Sequence, residues 1–151
     1  MKTTNFTFPA GVIHKPQNLD ANATNCWEAA MYRGIDLSLE LKTLLLSWRN
    51  ELHVFNLLGN REVPNLNPEY RWVPVEYLKK LGIQKGTVNP FILKEKLPNI
   101  KYMAFCSCIF EKEIVYTNDG SLNGTIIIPT SLIKTEFPEA TIFDFSEPIS
   151  N

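Results

Sequence analysis

Two apolar runs, Leu39 to Trp48 and Leu52 to Leu58, flank a short polar tip, Arg49-Asn50-Glu51. Neither run contains Pro or Gly, and both are the length of ordinary strands. They predict an antiparallel hairpin whose largely apolar strands lie buried in a sheet. That hairpin constrains the fold more than any other segment, because a two-stranded ribbon this apolar needs further strands and helices to cover it. One residue in it is out of place: Lys42 stands at the head of Thr43-Leu44-Leu45-Leu46.

The rest of the chain supplies the cover. Asn22 and Asn25 are candidate N-caps for a helix from Cys26 to Arg33, closed by Gly34. Gly59-Asn60 makes a turn, and a Pro- and Asn-rich loop (Pro64, Asn65, Asn67, Pro68) follows. Val75 to Leu81 predicts a short amphipathic helix between Pro74 and Gly82, and Phe91 to Leu97 a turn or helix. Strands are expected at Tyr102–Cys106, Ile114–Thr117, Thr125–Ile128 and Thr141–Phe145, with Asn118-Asp119-Gly120-Ser121 as a turn and a helix from Pro129 to about Phe137. The expectation is a mixed α/β, α+β-like single domain with a largely antiparallel mixed sheet and a few short helices. Residues 1–24 read as an extended lead-in, 25–146 as the domain, and 147–151 as a tail.

At 151 residues the chain is the size of one domain, enough to bury about two-thirds of its unfolded surface. A net charge of −1 gives no basic field for broad nucleic-acid binding, so any such contact is expected to be local. No run approaches the roughly 20 apolar residues of a membrane span, and the N-terminus lacks an apolar signal core. The three cysteines, Cys26, Cys106 and Cys108, read as reduced thiols of a cytoplasmic protein. Cys106-Ser107-Cys108 offers only two ligands and the chain only two histidines, so neither a metal site nor a cofactor is expected.

Four groups of residues could carry chemistry. Lys42 is either a strand-edge lysine with its amine in water or a cleft cation for a phosphate. Gly86-Thr87-Val88-Asn89-Pro90 is either a tight turn or a rigid loop whose exposed amides hold a carbonyl, hydroxyl or water. Cys26-Trp27 at a helix start resembles the nucleophile position of papain-like proteases, with a packed cysteine beside a core tryptophan as the alternative. His14 reads as a surface or pocket-rim residue and His53 as a strand residue, neither with a carboxylate at a suggestive spacing. The aromatic residues read as core, not as a base-stacking platform.

In order, Glu28-Ala29-Ala30, Gly34-Ile35, Lys42-Thr43-Leu44-Leu45-Leu46, Gly59-Asn60-Arg61-Glu62-Val63, Gly86-Thr87-Val88-Asn89-Pro90-Phe91 and Asn118-Asp119-Gly120-Ser121 resemble the YbaK/prolyl-tRNA synthetase-associated editing-domain family, over roughly residues 25 to 146. Phe91-Ile92-Leu93 departs from it, standing where members often carry a small glycine. The resemblance implies a free-standing trans-editing aminoacyl-tRNA deacylase that hydrolyses the ester of a mischarged tRNA by positioning it. Lys42, Gly86 and Pro90 would be the catalytic set, and Thr43, Thr87, Val88, Asn89, Asn118, Gly120 and Ser121 would bind substrate. The implied partners are the 3′ end of a mischarged aminoacyl-tRNA and an aminoacyl-tRNA synthetase. The alternatives are a catalytically silent tRNA-, aminoacyl-ligand- or protein-binding module on the same fold, and a hydrolase using Cys26.

Overall fold

A computed structural model of the protein describes residues 7–16, 25–84, 86–122 and 124–149. Asn22 and much of the lead-in lie outside the described residues. In chain order the elements are β1 (Ile13–Lys15), α1 (Cys26–Arg33), β2 (Leu41–Trp48), β3 (Glu51–Leu58), β4 (Arg61–Glu62), β5 (Arg71–Trp72), α2 (Val75–Lys80), α3 (Pro90–Lys96), β6 (Ile100–Cys106), β7 (Ile114–Asn118), β8 (Thr125–Pro129), α4 (Thr130–Glu136), β9 (Thr141–Phe143) and β10 (Glu147–Pro148). Short 3₁₀ turns lie at Leu37–Leu39 and Ser107–Glu111.

The hairpin forms with Trp48 opposite Glu51, so its tip is two residues long. Arg49 and Asn50 take positive φ of 50° and 65°, the backbone a two-residue hairpin loop requires. Glu51 therefore belongs to β3. The first strand starts two residues later than expected, because Asp36 caps Ser38 (2.9 Å) and folds Leu37–Leu39 into the 3₁₀ turn. Strands pair in the order β5-β2-β3-β6-β9, with β1-β8-β7 as a second sheet and β4-β10 as a small third. Among the strands of the described residues, β3/β6 and β6/β9 pair parallel and the others antiparallel, so the fold is α+β with largely antiparallel pairing. The β3-to-β6 connection carries α2 and α3, the long crossover that parallel neighbours need.

The interior of the larger sheet holds one deliberate polar stitch. Asn56 is fully buried; it accepts from Thr43 Oγ1 (2.8 Å) and donates to Ala104 O (3.0 Å), linking β2, β3 and β6. A buried amide is tolerable only when its groups are engaged in this way. Around it, Leu41, Leu57, Phe105, Val115, Ile126, Ile128 and Ile133 bring both sheets and α4 into one core. A second core packs α2 and α3 onto the sheet through Leu45, Val54, Leu78, Ile92 and Leu93.

The helix ends follow their caps. Asn25 Oδ1 accepts from Glu28 N (2.8 Å) and Gly34 closes α1 in the left-handed region. Asn89 Oδ1 accepts from Ile92 N (2.9 Å) with Pro90 at the first helical position, so the segment from Pro90 is a regular helix. The first and last strands of the described residues join the body: β1 pairs with β8, and β10 pairs with β4. The last predicted strand stops at Phe143, two residues short of Phe145.

Candidate functional site

A cavity of about 990 Å³ opens between α1, the start of β2, α2, the Gly86 loop and the end of β7. Its walls are mainly apolar, with Leu41, Leu45, Val73, Leu78 and Val88 among them. Its polar lining includes Arg33, Glu40, Lys42, Thr43, Thr117 and Asn118. The two sheets meet here, joined by the bridge between Glu40 and Tyr116.

Lys42 and Gly86 line this one cavity, together with Val88, Thr43 and Asn118. Thr87, Asn89, Pro90, Gly120 and Ser121 do not; they build the frame behind it. Of the two readings of the loop, the tight turn describes Thr87 and Asn89, and a row of exposed amides does not. Thr87 and Asn89 are buried, with Thr87 N donating to Gln84 O (3.0 Å) and the Asn89 side chain capping α3. Gly86, at φ 85°, and Val88 are the loop residues that reach the cavity. The Thr43 hydroxyl is likewise engaged inward on Asn56.

The turn after β7 is locked to that loop. Asn118 Nδ2 donates to Val88 O (2.9 Å), and Asn89 Nδ2 donates to Asn118 O (3.0 Å). Asn118 Oδ1 accepts from Gly120 N (2.9 Å), and Asp119 Oδ1 accepts from Ser121 N (2.9 Å) and Ser121 Oγ (2.6 Å). Asp119 also meets His14 Nε2 at 2.8 Å, a carboxylate partner 105 residues away that no local spacing could announce. His53 lies buried in β3 against the Tyr70 hydroxyl (2.7 Å). Neither histidine lines the cavity.

Lys42 is half-buried and its ammonium donates to the Arg61 carbonyl. Burial lowers its pKa from the usual 10.5, while Cys26 and Glu62 pull it back up. Arg33 and Glu40 form an ion pair that the sequence reading missed: 2.5 Å apart, with side chains 4% and 2% exposed. Arg33 Nε also donates to Thr125 Oγ1 (2.7 Å). Burial raises the Glu40 carboxyl above its usual value, with Arg33 opposing. Its Oε2 is buried without a hydrogen-bond partner among the described residues. The available signal was a second charge in the same apolar run, two positions before Lys42.

Cys26 lines the cavity, but burial pushes its thiol up to about 11, with Glu40 adding and Lys42 and Arg33 opposing. A thiol held in that form is a poor nucleophile at neutral pH. Trp27 is not a core tryptophan; it is 62% exposed at the cavity. Among the described residues no cluster of His, Cys, Asp and Glu could hold a metal ion, and no helix is long and apolar enough to cross a membrane.

This architecture has solved structural neighbours. The hypothetical protein APE2540 matches with a TM-score of 0.70 at 21% identity, covering 90% of each chain. A candidate trans-editing enzyme for prolyl tRNA synthetase matches with a TM-score of 0.69 at 17% identity, over 90% of this chain and 85% of that one. A candidate signal transduction protein from Marinobacter aquaeolei VT8 matches with a TM-score of 0.63 at 15% identity, over 91% of this chain but 28% of the other. At these identities the likeness establishes the fold. No protein-family profile and no curated protein matches the chain.

Proposed function

We propose that the chain is a free-standing aminoacyl-tRNA deacylase that removes a wrongly attached amino acid at this cavity. The observation that carries the reading is the shared lining: Lys42 and the Gly86 loop, distant in sequence, bound one apolar-walled space. A solved neighbour of the same fold, described as a candidate trans-editing enzyme for prolyl tRNA synthetase, supports it.

In this reading Lys42 meets a phosphate near the tRNA 3′ end as a point charge. Gly86 and Val88 bring backbone close to the terminal ribose and the ester, and the apolar wall of Leu45, Val73 and Leu78 takes the amino-acid side chain. Asn89, Pro90, Asn118, Gly120 and Ser121 act as positioning residues that hold the loop. Thr43 and Thr87 hold β2 and the loop through their own hydrogen bonds. The oxygen of a positioned water bonds to the ester carbonyl carbon, the carbon–oxygen bond to the ribose breaks, and the ribose oxygen leaves with a proton from that water. An aminoacyl ester is already activated, so positioning and hydrogen bonds to the developing charge can suffice without a side-chain nucleophile.

A panel of mischarged tRNAs tests this. The expected result is hydrolysis of at least one above the spontaneous rate, lost in Lys42→Ala. Hydrolysis of none removes the reading. A second reading, a silent binding module, draws on the Lys42 ammonium being turned toward the Arg61 carbonyl. Binding of charged tRNA without turnover would select it.

A further inference from the structure

The chain has three tryptophans, and the two that line the cavity are the exposed ones, Trp27 at 62% and Trp72 at 69%. Trp48, by contrast, is half-buried, with Arg49 over its ring at 4.5 Å and the His53 and Tyr70 rings at 5.8 and 6.1 Å. Trp27 lies in the first turn of α1. Trp72 lies on the edge strand β5, which pairs with the Lys42-bearing strand β2. Two distant segments thus bring large, flat, uncovered rings to one opening. An indole usually contributes its area to a core, so leaving two of them open at a cavity does little for the fold alone.

The charge beside them narrows what they could meet. Arg33 and Glu40 neutralise each other, which leaves Lys42 as the net charge among the described residues that line the cavity. Open aromatic faces next to a cation are what unpaired nucleic acid uses: the phosphate meets the ammonium, and the bases lie on the rings.

We infer that Trp27 and Trp72 are the stacking platform for the unpaired nucleobases at the 3′ end of an RNA whose acylated ribose enters the cavity. The inference rests on the deacylase reading of the same site and names what would hold the nucleotides there.

The test uses the single-stranded RNA 5′-ACCA-3′ and the same chain with its two 3′-terminal nucleotides abasic. Affinity is read from the anisotropy of a 5′ label, and contact from quenching of tryptophan emission. The base-bearing RNA should quench and bind about tenfold more tightly or better than the abasic one. Trp27→Ala and Trp72→Ala should each weaken it about fivefold or more, and the Phe substitutions should stay within about threefold, since a ring remains to stack on. Equal affinity for the two RNAs overturns the inference on the unmutated protein, even if a variant fails to fold. Folded alanine variants that bind like the unmutated protein overturn it too. The tRNA panel separates the two ideas. Hydrolysis without base-dependent binding removes the platform alone, base-dependent binding without hydrolysis keeps the platform and removes the catalysis, and neither removes both.

Discussion

The Asn118 side chain donates to the Val88 carbonyl at 2.9 Å, joining the end of β7 to the middle of the Gly86 loop across 30 residues of chain. Asn89 returns the contact to the Asn118 carbonyl at 3.0 Å. The loop is therefore held from both directions by amide groups that a helix cap and a turn had already fixed.

That mutual hold predicts a specific sensitivity. Asn118→Asp keeps the shape and the acceptor but removes the donor to Val88 O. It should destabilise the protein by about 1–3 kcal/mol, read by denaturant unfolding. If the cavity is the deacylation site, kcat/KM should fall further than stability alone explains.

Lys42→Ala should lower kcat/KM on a sensitive mischarged tRNA by about 100-fold or more, on the scale of removing one electrostatic partner. The midpoint of thermal unfolding should move little, because Lys42 is half-buried and the Arg61 carbonyl it releases can turn to water. Since burial has lowered the Lys42 pKa, RNA binding should weaken on the alkaline side at a pH below the usual 10.5, as the ammonium discharges.

Glu40 predicts a pH dependence of stability. Its folded pKa lies above the usual 4.5, so the folded protein binds this proton more tightly than the unfolded chain. Stability from this group is greatest below 4.5 and is lost as pH rises through the folded pKa. Glu40→Gln cannot titrate, so relative to the unmutated protein it should gain stability as pH rises across that window and then level off. Paired denaturant titrations from pH 4 upward measure it, and parallel curves would refute the assignment.

Cys26 should resist alkylation by iodoacetamide at pH 8, where a thiol with a pKa of about 11 is thiolate in roughly one molecule in a thousand. Its reaction rate should climb toward pH 11. Cys26→Ser should keep any deacylation within about twofold, since a protonated thiol contributes no nucleophile.

Local physics made much of the fold legible in advance. The Arg49-Asn50 hairpin, the Asn25 and Gly34 caps of α1, and the strands around Phe105, Val115 and Ile126 follow from residues within a few positions of each other. So did the oddness of Lys42, a cation in an apolar run. Where local signals competed, boundaries slipped: Asp36 folded Leu37–Leu39 into a turn where the apolar pattern suggested strand.

Tertiary structure alone decided what the odd residues meet. Only folding brings Lys42 and Gly86 to one cavity, pairs Arg33 with Glu40 in near-complete burial, sets Asp119 against His14, and leaves Trp27 and Trp72 open where a core role was expected. Periodicity reports which face of an element is apolar. It carries no information about which distant element covers that face, and burial, pairing and exposure are set by that covering.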